Sequence, residues 1–86
     1  MKNKINKHLI VYEEDEEIIL LNLVDNKFFA LDFISSIFWK QINLEKENKE
    51  IVDYISKQFE VTKEQVQKDL EIFLRDLKKS GVIITE

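Results

Sequence analysis

The stretch "NKFFALDFISSIFW", Asn26 to Trp39, joins a strand to a helix and places two phenylalanines side by side within the strand. Successive strand residues point to opposite faces. One sheet face therefore cannot bury both Phe28 and Phe29, and the second aromatic needs another environment. "DN", residues 25–26, supplies the turn before the strand, because Asp and Asn tolerate positive φ and bond their own backbone. "KFFAL", residues 27–31, is the strand. Asp32 is placed to cap the helix that follows. Ile34, Ile37, Phe38 and Ile42 then recur at helical spacing, with Trp39 just off that stripe.

Upstream, "HLIVY" (8–12) and "IILLNL" (18–23) read as two further strands. The acids "EEDEE" (13–17) between them repel one another and stay wet, which predicts a solvated hairpin loop. They lack the spacing and the glycine of a calcium loop. The connections are too short for a crossover, so the three strands form an antiparallel meander.

Downstream, a second helix covers 48–59, with Ile51, Val52, Ile55 and Phe59 on one side. The third has the clearest start and stop. Thr62 and Gln65 have the spacing of a capping box, and Val61 and Val66 that of a hydrophobic staple. Val66, Leu70, Phe73, Leu74 and Leu77 form its apolar face. Lys78 and Lys79 suit the negative end of the helix dipole. Gly81 is placed for the left-handed position that stops the helix, and 82–85 can close as a short strand. Three strands followed by three helices, the last two as a helix–turn–helix, give an α+β, winged helix-turn-helix-like fold in a single domain over 1–86.

Composition narrows the function. The chain has 86 residues, a net charge of −4, no cysteine, no proline and one glycine. The absence of cysteine rules out disulfides and thiolate metal sites. One glycine cannot build a phosphate-cradling loop. No apolar run approaches the ~18 residues of a membrane span, and the N-terminus has no signal-peptide core. A cytoplasmic protein without cofactor or metal is expected. His8, the single histidine, sits beside a strand start. Ser35, Ser36, Ser56 and Thr62 have no histidine near them in sequence and suit caps and surfaces. No activated nucleophile is visible, so catalysis is not expected. Between Thr62 and Ser80, five bases are interleaved with four acids. That pattern is poor for a phosphate backbone, though a winged-helix DNA-binding regulator is the alternative reading.

Two features exceed what a small core needs. Ile19, Leu21 and Leu23 share one sheet face, and Ile18, Leu20 and Asn22 the other; Phe29 and Leu31 oppose Phe28 and Ala30 likewise. Either helix one and the termini cover the two faces, or part of this surface is a docking site. Phe29 and Leu31 are assigned to the core side, because Leu31 leads into the helix that must cover it; a different turn register would exchange the roles of Phe28 and Phe29. Ile72 lies off the third helix's stripe among Lys68, Asp69, Arg75 and Asp76. It is either a singly exposed apolar residue or the lining of a groove whose acids suit a basic or polar–apolar peptide. Meander order leaves the third strand at a sheet edge, and a free edge invites an added strand.

"LLNLVDNKFFALD…FW" followed by "IVDYISKQFEVTKEQVQKDLEIFLRDLKKSGVI" resembles the PqqD-like family of recognition elements for ribosomally made, post-translationally modified peptides. The resemblance rests on Leu20, Leu21, Asn22, Phe28, Phe29, Ala30, Leu31, Asp32, Trp39, Asp69, Phe73, Leu74, Leu77 and Gly81, and covers about 9–84. Asn26 stands where the family often has glycine; Asn also serves a left-handed turn. The resemblance implies a non-catalytic adaptor of the free-standing type, as in lasso-peptide and pyrroloquinoline quinone systems. It would bind the leader segment of a precursor peptide against the third strand and third helix, and present it to a leader peptidase or a radical SAM enzyme. The residues it implies are Lys27, Phe28, Phe29, Ala30, Leu31, Asp69, Ile72, Phe73 and Asp76. It would act as a monomer, with no nucleic acid or membrane partner.

Overall fold

A computed structural model describes residues 4–15 and 17–84. In chain order the elements are β1 (Lys4–Ile5), β2 (Leu9–Glu14), β3 (Glu17–Asn22), β4 (Lys27–Leu31), α1 (Phe33–Asn43), α2 (Asn48–Phe59), α3 (Lys63–Lys79) and β5 (Ile83–Ile84). Strands β2, β3 and β4 form the expected antiparallel meander in that order, so among the described residues β4 has one free edge.

The acidic run differs from the expected loop. Glu13, Glu14 and Glu17 lie in the strands, and the turn tightens around Asp15, which takes a left-handed φ of 55°. Alternation explains this: exposed strand positions hold acids as readily as a loop does. Glu16 lies outside the described residues. At the next turn Asn26 adopts φ 54°, as its sequence position suggests. The closing strand appears as β5, with Thr85 outside the described residues. Its partner is β1, which sequence reading did not anticipate.

Register decides which face is core. Leu20 faces Phe29 and Ile18 faces Leu31 across the β3–β4 pair, so these four side chains share a face with Asn22. Ile18, Leu20, Asn22 and Leu31 are buried there, and Phe29 packs against the core. The helices complete the core with Phe38, Trp39 and Ile42 from α1, Ile51, Val52 and Ile55 from α2, and Val66, Leu70, Phe73, Leu74 and Leu77 from α3. Phe73 is the hinge of this packing. Its ring meets Phe29 edge-on at 6.2 Å and stacks on Phe38 at 5.7 Å. Aromatic pairs in these arrangements contribute roughly 0.5–1.5 kcal/mol beyond their buried area.

The α1 stripe is shifted from the one read in sequence. Trp39 is buried, Ile37 is half-buried and Ile34 is exposed. In the first turn of α1 the Phe33 ring meets Phe59 of α2 edge-on at 6.0 Å, and Ile34 faces an open cleft, so neither is buried in the core.

The opposite sheet face is bare. Ile10, Leu21 and Phe28 form one row across the three strands, and Tyr12, Ile19 and Ala30 the next. Among the described residues the terminal strands do not cover them, because β1 and β5 pair with each other beside α3. At the acidic end of this face the Tyr12 hydroxyl donates to the Glu14 carboxylate. That bond, with desolvation and the charge of Glu17, raises the phenol above its ordinary pKa.

Helix ends follow the chemistry of the sequence. Asp32 Oδ1 accepts from Ser35 N at 2.8 Å, and Thr62 Oγ1 from Gln65 N at 3.2 Å. The Gln65 side chain points forward, its Nε2 donating to Asp69 Oδ1 at 2.9 Å. A reciprocal capping box occurs instead at α2, between Glu47 and Glu50. Thr62→Ala should cost about 1 kcal/mol, measured as a lowered urea midpoint with an unchanged slope. A loss of under ~0.3 kcal/mol would mean that packing alone fixes the start of α3.

The stop of α3 is the tightest joint. Gly81 N donates to the Lys78 carbonyl and Val82 N to that of Leu77, the paired bonds of a Schellman motif, with Gly81 at φ 72°. Asn22, fully buried, donates from Nδ2 to the Ser80 carbonyl at 3.0 Å and to Asp25 Oδ2 at 3.1 Å, while its Oδ1 accepts from Asp25 N. One amide therefore joins the β3–β4 turn to the end of α3.

Candidate functional site

The joint at Asn22 fixes α3 alongside β4. At one end Lys27 Nζ donates to the Lys79 carbonyl at 3.1 Å, and midway Phe29 rests on Phe73. The strand 27–31 thus runs antiparallel to α3, passing helix positions from 79 towards 69. Between them, open along the free edge of β4, lies a groove of about 460 Å³.

Phe29, Phe38 and Phe73 form the aromatic floor, Ile34 and Ile72 the apolar sides, and Asp32, Asp69 and Asp76 the rim. Ile72 is 48% exposed, and α3 presents it into this space, which accounts for its place off the core stripe. No lysine or arginine among the described residues lines the groove.

Of the residues singled out in sequence, the structure brings together Phe29, Ala30, Asp69, Ile72, Phe73 and Asp76. Three stand elsewhere. Leu31 is buried beneath the sheet. Lys27 lies at the end of the groove, held by the α3 carbonyl. Phe28 is 72% exposed on the bare sheet face, because strand alternation directs it away from its neighbour Phe29. Sequence reading missed the contribution of α1: Asp32, Ile34, Ser35 and Phe38. A signal for it was present, since Asp32 caps a helix whose first turn must pass the strand it has just left.

The free edge supplies backbone chemistry as well. In an antiparallel pair the residues alternate in hydrogen bonding, so every other residue of β4 directs its N–H and C=O outward. The five residues of β4 offer about 16 Å of such edge beside the apolar groove. A second cleft of about 400 Å³ lies on the far side of α3 against α2, spanned by the Lys63–Asp53 ion pair at 3.1 Å. It has no strand edge. Among the described residues no three His, Asp or Glu side chains converge as metal ligands, and no helix is long and apolar enough to cross a membrane.

A model of the family described as coenzyme PQQ synthesis protein D (PqqD) matches residues 17–83. Among solved structures the chain is similar to TbiB1 in complex with the TbiA(beta) leader peptide. The identity is 31% over 96% of both chains, with a TM-score of 0.90. It also shares its fold with lasso peptide synthetase B1 complexed with the leader peptide, at 13% identity, 99% coverage of this chain, 100% of that one and a TM-score of 0.90. No curated protein matches it.

Proposed function

Because this chain belongs to the PqqD family, we propose that it captures the leader segment of a ribosomally made precursor peptide in the β4–α3 groove and hands it to a maturation enzyme. The observation that carries this reading is the coincidence of a free strand edge with an open apolar groove. An extended peptide satisfies both at once. Its main chain pairs with Lys27–Leu31. One set of alternate side chains enters the groove against Phe29, Ile72 and Phe73. The other set falls beside Phe28 and Ala30 on the bare face.

The two solved structures it is most usefully set beside were determined with leader peptides bound. The chemistry required of the protein is binding alone. Main-chain pairing provides affinity that tolerates sequence variation, and the groove provides selectivity. The enzyme that receives the peptide is a leader peptidase or a radical SAM enzyme. On α3, the exposed Glu64, Lys68, Glu71 and Arg75 alternate in sign, which favours a peptide over DNA.

The test is a fluorescence-anisotropy titration of labelled leader peptides from precursors encoded in the same genome. A saturable rise with Kd below about 10 μM is expected. No binding at several times that concentration overturns the reading.

A further inference from the structure

The charges of the groove carry a rule for what it selects. We infer that it reads a basic–x–apolar–x–basic pattern, with Asp69 and Asp76 each receiving a lysine or arginine of the bound segment. The inference rests on peptide capture in this groove.

Asp69 and Asp76 both line the groove, seven residues apart on α3. They are therefore separated by about 10 Å along the helix axis and lie on one side of it. Ile72 and Phe73 fall between them. On an added strand, side chains that point into the groove recur about every 6.7 Å. With one apolar side chain seated on Ile72 and Phe73, its inward neighbours, two residues before and two after, lie about 13 Å apart. The long stems of lysine and arginine cover the small difference from the carboxylate spacing.

The electrostatics agree with the spacing. The charged residues lining the groove are all acidic: Asp32, Asp69 and Asp76. Asp32 and Asp69 accept bonds from Ser35 N and Gln65 Nε2, neither of them a cation. Lys27, at the groove end, donates to the Lys79 carbonyl. Among the described residues lining the groove no cation competes for these carboxylates, so a cationic side chain meets opposite charge there and an acidic one like charge. Charge-assisted bonds in a partly dry groove also resist salt better than exposed pairs do.

The experiment pans a phage-displayed library of random twelve-residue peptides on the full chain. The best binder is then compared, by anisotropy, with a twin whose basic residues are glutamine. Expected winners carry cations two residues before and two after an apolar residue. The parent peptide should bind about tenfold tighter than its twin, and that gap should close in the Asp69→Asn, Asp76→Asn double variant. Winners without the paired cations, or a gap that survives the double variant, overturn the rule. Ile72→Asp separates the two levels. If it abolishes binding of winners that lack paired cations, the charge rule alone fails. If winners ignore it, or if none emerge, capture in the groove fails and the rule falls with it.

Discussion

Replacing Gly81 with alanine is expected to lower stability by about 3 kcal/mol and the melting temperature by about 15 °C. Two costs combine. A side chain at φ 72° carries the left-handed penalty, roughly 1–2 kcal/mol. A Cβ at this position would also lie 2.4 Å from Asn22 Nδ2 and 2.9 Å from Asp25 Oδ2. Asn22 would have to move, and a buried amide stripped of its partners costs a further ~1–3 kcal/mol. Thermal and urea unfolding followed by circular dichroism measure the loss. A drop below ~1 kcal/mol would show that the joint between the β3–β4 turn and α3 relaxes freely. Because that joint sets α3 against β4, the variant should also bind leader more weakly at temperatures where it is still folded.

This joint marks the limit of what the sequence discloses. Gly81 as a helix stop is legible, since the apolar stripe ends at Leu77 and two lysines precede the glycine. Its second role is not. The amide that presses on it comes from Asn22, 59 positions earlier, and only the folded chain brings them together. The same division holds for the aromatic pair. Alternation separates Phe28 from Phe29 in any strand, and the helix after Leu31 points to Phe29 as the inward one. That Phe29 also forms part of a groove floor depends on Phe73 and Phe38 arriving from two helices. Helices α2 and α3 were readable from periodicity and capping. Strand β1 was not, because two residues carry no period and its pairing exists only when the chain ends meet. The groove was half legible. Its α3 side was marked by Ile72 off the core stripe, while its α1 side looked like ordinary core because Ile34 keeps helical spacing with Phe38.

Ile72→Asp is expected to weaken leader binding about hundredfold while leaving the fold intact. Ile72 is half exposed in the free protein, so a polar replacement removes little from the core. In the complex the peptide covers it. Covering its exposed half contributes roughly 0.7–1.5 kcal/mol, and desolvating a carboxylate in its place costs about 1–3 kcal/mol more. The sum is about the ~2.8 kcal/mol of a hundredfold change. Anisotropy with the labelled leader measures the affinity, and far-ultraviolet circular dichroism confirms that α3 persists. Unchanged affinity in a folded variant would remove α3 from the site and leave the strand edge alone.

As proposed here, the captured peptide becomes a fourth strand beside β4. Isotope-filtered nuclear Overhauser spectroscopy, with the chain labelled and the leader unlabelled, tests it most directly. Cross-strand contacts are expected between leader backbone protons and those of Lys27–Leu31, together with slowed exchange of the outward amides of that strand. A leader that binds while the β4 amides exchange as in the free protein, with its contacts confined to the bare face or to the α2–α3 cleft, would contradict it.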